Sequence, residues 1–192
     1  MADRPELPLF RWAETARAAL AVRGRRRRHA CVTAMTCAVV LIVLPAILDP
    51  APRLVWNASP SAPTGLYLVS PGAAPRRGDT VIAWLPAPAR GLAASRHYLP
   101  PAVPLVKPVA AIAGDRVCAM GAAIRINDRV IVRRLRHDGR GRPLPWWSGC
   151  RTLRAGELFL LGTRRPDSFD SRYFGPVSGA GVVGTARFLW AR

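Results

Sequence analysis

One residue type is almost missing from a strongly basic chain. Of 29 lysines and arginines among 192 residues, 28 are arginine and one, Lys107, is lysine. Arginine keeps its proton inside a protein, whereas a lysine taken out of water can lose it. A reaction that needs a neutral amine would therefore require lysine at that one place. Chance survival of one lysine against an arginine bias is the competing account, so its neighbours must decide. Lys107 stands in P-L-V-K-P-V-A-A-I-A-G-D, with apolar residues on both sides. Partial burial there would lower its pKa, and a neutral lysine can serve as general base toward a serine hydroxyl. The plainer alternative is a strand lysine facing solvent, with Pro108 marking an edge or irregular strand.

The serine that such a base would serve is Ser61, in N-A-S-P-S-A-P-T-G-L-Y. Pro60 and Pro63 restrict the backbone on both sides and predict a rigid loop. A serine hydroxyl is a weak nucleophile until a base takes its proton. A proline-rich linker is the competing reading of this stretch. A third cluster, D-S-F-D-S-R-Y-F-G-P-V at 167–177, packs carboxylates, hydroxyls, an arginine and aromatics into a turn-like segment. Asp170 and Arg172 are spaced for a charge-assisted pair that shapes a site or simply braces it.

The elements that must position these residues follow from patterning. Residues 1–29 are polar and end in R-G-R-R-R-R-H; residues 30–48 read ACVTAMTCAVVLIVLPAIL without a charge. At 1.5 Å per residue, 19 residues span roughly 28 Å, close to the hydrocarbon thickness of a bilayer. The run predicts a transmembrane anchor, longer than the apolar core of a cleavable signal peptide and without the polar face of a soluble helix. The arginines at 25–28 place residues 1–29 in the cytoplasm and the chain after Asp49 outside.

Beyond residue 54 the pattern is short strands between turns: 65–69, 79–84, 105–113, 123–127, 130–135 and 157–162 carry β-branched or alternating apolar residues. Asn127-Asp128 predicts a hairpin, and the Pro- and Ala-rich segment 86–104 reads as a loop. The 19 prolines and 16 glycines favour strands and turns over long helices. The expected architecture is mainly β: one N-terminal transmembrane helix, then a β-rich catalytic domain over 49–192.

The net charge of +18 suggests nucleic acid or an anionic membrane. For an exported domain carrying 21 basic and 8 acidic residues, nucleic acid is not expected, and an arginine-rich surface near anionic lipid head groups fits better. Four cysteines lack CxxC pairing and histidines at metal spacing, so no metal site and no cofactor are expected. Cys31 and Cys37 lie in the apolar run; Cys118 and Cys150 could pair if their compartment oxidises thiols.

Four blocks in this order after a single anchor resemble the signal peptidase I family of serine proteases. S-A-P-T-G at 61–65 resembles its nucleophile box, R-R-G-D-T-V at 76–81 the following strand, V-K-P-V-A-A-I-A-G-D at 106–115 its lysine box, and S-F-D-S-R-Y-F-G at 168–175 its C-terminal box. Each block is weak alone; together they extend over roughly 57–177. The opening N-A-S-P-S-A-P-T-G-L-Y, the tail S-F-D-S-R-Y-F-G-P-V and the Cys118/Cys150 pair look most like the TraF-type conjugal transfer peptidases. The resemblance implies Ser61 as nucleophile and Lys107 as base. It implies Ser59 as a hydroxyl that helps the Ser61 N–H hold an oxyanion, and Ser168 as the hydroxyl that orients the lysine. Asp170 and Arg172 match the structural pair of the last box. Pro108, Ala113 and the G-T-R-R-P-D stretch at 162–167 depart from the family pattern without removing a catalytic group.

The expected function is that of a single-pass peptidase of the inner membrane with a periplasmic catalytic domain. It would process exported precursors, pilin maturation by cleavage or cyclisation in conjugative transfer being the foremost reading. Its partners would be a precursor substrate, inner-membrane lipid and the transfer machinery. A general signal peptidase and a non-catalytic assembly factor are the alternatives.

Overall fold

A computed structural model describes residues 8–48 and 51–191. The chain divides into two units, Met1–Pro50 and Ala51–Arg192. Residues 1–7, Asp49 and Pro50, at the ends of the expected N-terminal segment and anchor, lie outside the described residues.

The first unit is one helix, α1 (Pro8–Leu48), that runs without interruption through the arginine cluster and the apolar run. The sequence reading assigned helix only to 30–48. The added turns follow from composition: R-A-A-L-A-V-R-G-R-R-R-R is rich in alanine, leucine and arginine, all good helix formers. Within Leu20–Pro45 the helix is long and apolar enough to cross a membrane. Val32, Met35, Leu41, Ile42 and Ile47 are all exposed on it, so its apolar surface runs around the helix, as lipid contact requires.

The second unit is mainly β, as the patterning predicts. It holds a seven-stranded sheet of order β1-β2-β11-β3-β4-β9-β10 and a four-stranded sheet of order β7-β6-β5-β8. The large sheet contains β1 (Leu54–Asn57), β2 (Gly65–Pro71), β3 (Thr80–Ala83), β4 (Leu105–Ala111), β9 (Glu157–Leu160), β10 (Val177–Ser178) and β11 (Val182–Trp190). The small sheet contains β5 (Arg116–Met120), β6 (Ala123–Ile126), β7 (Arg129–Arg133) and β8 (Gly149–Thr152). Every strand pairing is antiparallel.

The six predicted strands are all present. Strand β11, which the sequence reading did not mark, is central and pairs with both β2 and β3. Gly184 in β11 lets the backbones close: a Cβ there would lie 2.4 Å from the Ser70 carbonyl oxygen. The hairpin at Asn127-Asp128 forms with φ of 47° and 65°, the left-handed pair that a type I′ turn requires.

Segment 86–104 corrects the reading as a loop. It opens with α2 (Ala87–Ser95). Proline there is compatible with helix because the first-turn N–H groups have no intrahelical acceptor, and the following alanines favour helix. A short third helix, α3 (Ser171–Phe174), lies within the cluster read as turn-like and is capped by Asp170, whose side chain accepts from the Arg172 N–H.

Three apolar clusters fill the β domain, one of them made of Ala62, Tyr67, Val69, Ile82 and Val106. Val81, Leu105, Val109 and Leu160 pack with Ala89 and Ala93 of α2, while Val117, Ile124, Phe159 and Leu161 close the small sheet against β9. The register of β4 on β3 sets Lys107 opposite Val81. It thereby places the lysine within the core rather than on a solvent face.

Candidate active site

The serine loop is built around one side chain, Asn57, at the end of β1. Its Nδ2 donates to the carbonyl oxygens of Ser59 (2.9 Å), Ala62 (3.3 Å) and Pro63 (3.0 Å), and its Oδ1 accepts from the Ser59 N–H at 3.0 Å. Tyr67 Oη donates to the Pro63 carbonyl at 2.8 Å. Asn57 is buried, so these bonds form away from competing water and are correspondingly firm. Within this loop Ser61 Oγ lies 2.9 Å from Ser59 Oγ, and the Ser61 N–H points at Ser59 Oγ at 3.5 Å. A hydroxyl and a backbone donor thus stand side by side.

Lys107 is 5% exposed. Its Nζ donates to Ser168 Oγ at 2.8 Å. Burial lowers its pKa from the usual 10.5 to about 8; the carboxylates of Asp170 and Asp167 oppose the shift, and the Arg172 guanidinium adds to it.

Ser168 is carried on a loop pinned by the buried pair Asp170–Arg172. Arg172 Nε donates to Asp170 Oδ1 at 2.7 Å and Nη2 to Oδ2 at 3.0 Å, with both side chains essentially inaccessible. The pair then grips Gly162 on both sides: its N–H donates to Asp170 Oδ2 and its carbonyl accepts from Arg172 Nη2, each at 2.8 Å. Arg172 Nη1 also reaches the Pro166 carbonyl at 2.9 Å.

Gly162 and Asn57 are the site residues that sequence reasoning missed. A Cβ on Gly162 would lie 2.7 Å from Ser168 Oγ, 3.2 Å from the Ser61 carbonyl oxygen and 3.4 Å from Lys107 Nζ. That one point is close to the serine loop, the lysine and its partner at once. An asparagine followed two residues later by serine and then prolines is an Asx-turn signal that could have marked Asn57. Gly162, which does not have positive φ, left no such mark.

All six non-cysteine residues singled out from sequence come together: Ser59, Ser61 and Lys107 line one cleft of about 450 Å³, with Ser168, Asp170 and Arg172 bonded behind it. Ser61 Oγ here bonds to Ser59 rather than to Lys107. Cys118 and Cys150 face each other across β5 and β8 and form a disulfide away from the cleft; Cys31 and Cys37 are free and exposed on α1. The arrangement can hold a neutral amine near a hydroxyl and an oxyanion donor, which is the outfit of acyl transfer.

The family described as "Signal peptidase, peptidase S26" matches residues 26–191. The chain belongs to this family. This S26 family member is 34% identical to a protein named "Probable conjugal transfer protein TraF" from Sinorhizobium fredii, over 68% of this chain and 73% of that protein. It is 35% identical to a "Plasmid transfer protein TraF" from Escherichia coli, over 43% of this chain and 49% of that protein. A solved signal peptidase I from Enterococcus faecalis aligns over 59% of this chain and 97% of its own, at 22% identity and a TM-score of 0.35, too low to carry an argument. The apolar helix and the S26 domain together fit a membrane-anchored protein.

Proposed function

We propose that this chain is a membrane-anchored serine endopeptidase in which Ser61 is the nucleophile and Lys107 the general base. The substrate is an exported precursor, foremost a pilin precursor matured in conjugative transfer. The carrying observation is that the sole lysine is buried, hydrogen-bonded to Ser168, and lines the same cleft as Ser61. The names of the TraF relatives support the conjugative setting.

In this reading a precursor enters as an added strand. Among the described residues, strand β1 pairs only with β2, and Leu105–Lys107 pair only with β3. Both stretches border the cleft with free edges. Lys107 takes the Ser61 proton as Ser61 Oγ bonds to the scissile carbonyl carbon. The Ser61 N–H and Ser59 Oγ hold the oxyanion. The C–N bond breaks, the leaving amine takes the proton from Lys107, and an acyl-enzyme remains. Water releases the acid, or the substrate's own N-terminal amine closes a ring; in either case Lys107 accepts the incoming proton and returns it to Ser61 Oγ as the bond from Oγ to the acyl carbon breaks. The arginines at 25–28 and the Cys118–Cys150 disulfide support a cytoplasmic N-terminus and a catalytic domain in an oxidising compartment.

The deciding experiment follows product mass from a pilin precursor with detergent-purified wild type and Lys107→Arg. Processing by wild type alone supports the base assignment, and loss of one water relative to the hydrolysed product marks cyclisation. Equal processing by both forms overturns it. Complementation of a strain lacking its general signal peptidase would instead indicate a housekeeping role.

A further inference from the structure

Behind one wall of the cleft lies a second chamber. Tyr98 and Phe169 line both the cleft that holds Ser61 and Lys107 and a neighbouring cavity of about 240 Å³ bordered by Leu135, Leu144 and Tyr173, with Asp138 and Asp167 at its polar side. The two rings have centroids 5.3 Å apart and form the partition between the spaces.

Each ring is fixed from outside the cleft. Phe169 stacks on Tyr173 at 5.9 Å and meets Phe174 edge-on at 5.6 Å. Tyr98 is held at three points. Its N–H donates to the Ala93 carbonyl at 2.8 Å while the His97 N–H donates to Ala94 at 3.1 Å; this double bond pattern ends α2 in a Schellman motif. The motif needs a left-handed residue, and His97 supplies it at φ 60°, a conformation that glycine adopts more easily. The Tyr98 hydroxyl donates to the Asp138 carboxylate. Asp138 is itself held by the N–H groups of Arg140 and Arg142 and by Arg142 Nε at 2.7 Å, and the Arg142 guanidinium lies 5.4 Å from the Tyr98 ring centroid. The helix cap, the hydroxyl bond and the guanidinium together hold the ring in one place, as a rigid wall requires.

We propose that Tyr98 is a specificity-determining residue: with Phe169 it closes the substrate cleft against the second chamber and so limits one substrate side chain to small ones. The chamber is room for a larger side chain that the wall denies. The inference rests on the peptidase reading above.

The test uses the full chain in detergent and a pool of synthetic peptides with every side-chain type at each position, followed by mass spectrometry. Wild type should prefer glycine, alanine or serine at one position. Tyr98→Ala should raise cleavage of leucine and phenylalanine relative to alanine at that position by about tenfold or more, the scale on which pockets discriminate by a methylene or two. Tyr98→Phe, which keeps the wall, should keep the wild-type ranking. Should Tyr98→Ala fail to fold, Tyr98→Leu should shift the ratio in the same direction by a smaller factor. A uniform decline for all peptides, or an unchanged ratio, overturns the proposal. A wild type that cleaves no peptide and no precursor overturns the peptidase reading and this inference together, whereas an active wild type with an unshifted Tyr98→Ala variant overturns this inference alone.

Discussion

Lys107 Nζ and Ser168 Oγ are joined by a hydrogen bond of 2.8 Å in a site where the lysine is almost wholly buried. With its pKa lowered to about 8, the amine is mostly protonated at pH 7 and mostly neutral at pH 9. If it acts as base, kcat/KM should rise through about pH 8 and level off above it. Ser168→Ala should lower kcat by roughly 10–100-fold through lost alignment of the amine. A flat profile from pH 6.5 to 9 would rule out Lys107 as the titrating base.

The same burial also shapes stability, at a cost while the amine is protonated. Between about pH 8 and 10.5 the unfolded chain binds a proton at Lys107 that the folded chain does not, so folding stability rises with pH across that window. Below pH 8 the folded protein carries the full penalty, on the order of 3 kcal/mol from the size of the shift. Lys107→Met should therefore abolish activity yet stabilise the protein at pH 7, with the gain shrinking toward pH 10. Urea unfolding of both forms at the two pH values checks this.

Gly162 tests the site by sterics alone. Alanine there would press its methyl against Ser168 Oγ, the Ser61 carbonyl and Lys107 Nζ. Gly162→Ala should reduce kcat by about 100-fold or more while the fold is retained, as judged by circular dichroism and thermal melting. Wild-type activity in this variant would mean that the three groups need not hold their relative places.

Asp170 and Arg172 behave as one unit. Removing either leaves the other buried without its partner, at roughly 3–5 kcal/mol. Asp170→Asn and Arg172→Lys should each lower the urea midpoint strongly, the second because lysine cannot bridge Gly162, Pro166 and Asp170 at once.

The disulfide is closer to the site in effect than its position in the sequence suggests. From sequence, reduction would be expected to loosen 119–149 and leave the catalytic pair alone. The closed segment, however, touches α3 directly: Trp147 Nε1 donates to the Ser171 carbonyl at 3.1 Å, the Leu135 N–H donates to Tyr173 Oη at 2.9 Å, and Arg134 reaches the Arg172 carbonyl at 3.4 Å. Reduction of Cys118–Cys150 should cost about 3–4 kcal/mol of stability and also lower kcat. Activity unchanged in the reduced, still-folded protein would show that α3 stands without this support.

What was legible in the sequence divides along a physical line. Strands with strong alternation or β-branched runs, such as Ile124–Ile126 and Val81-Ile82, were readable because their burial is written in side-chain type. Strand β11 was not, since Gly184 and Arg187 interrupt its apolar pattern and its place is set by close backbone approach to Ser70. Residue type and the family resemblance singled out Ser61, Lys107, Ser168, Asp170 and Arg172 as candidates, and they lie together in the fold. Gly162 and the Tyr98 wall were not: a glycine that matters for its missing methyl, and a tyrosine that matters for the cavity behind it, have their meaning only in three dimensions. Helix α2 was lost behind its prolines, whose tolerance in a first turn depends on where the helix starts.

A chain with a single lysine, buried in its candidate site, carries its own spectroscopic label. Selective isotopic enrichment of lysine would give one side-chain resonance, with no crowding to resolve. Its chemical shift would follow the protonation of that amine directly, in the resting protein and with an inhibitor bound. Amine-directed reagents would likewise meet only this group and the chain's amino terminus, so the rate of modification at Lys107 would report how often the cleft opens.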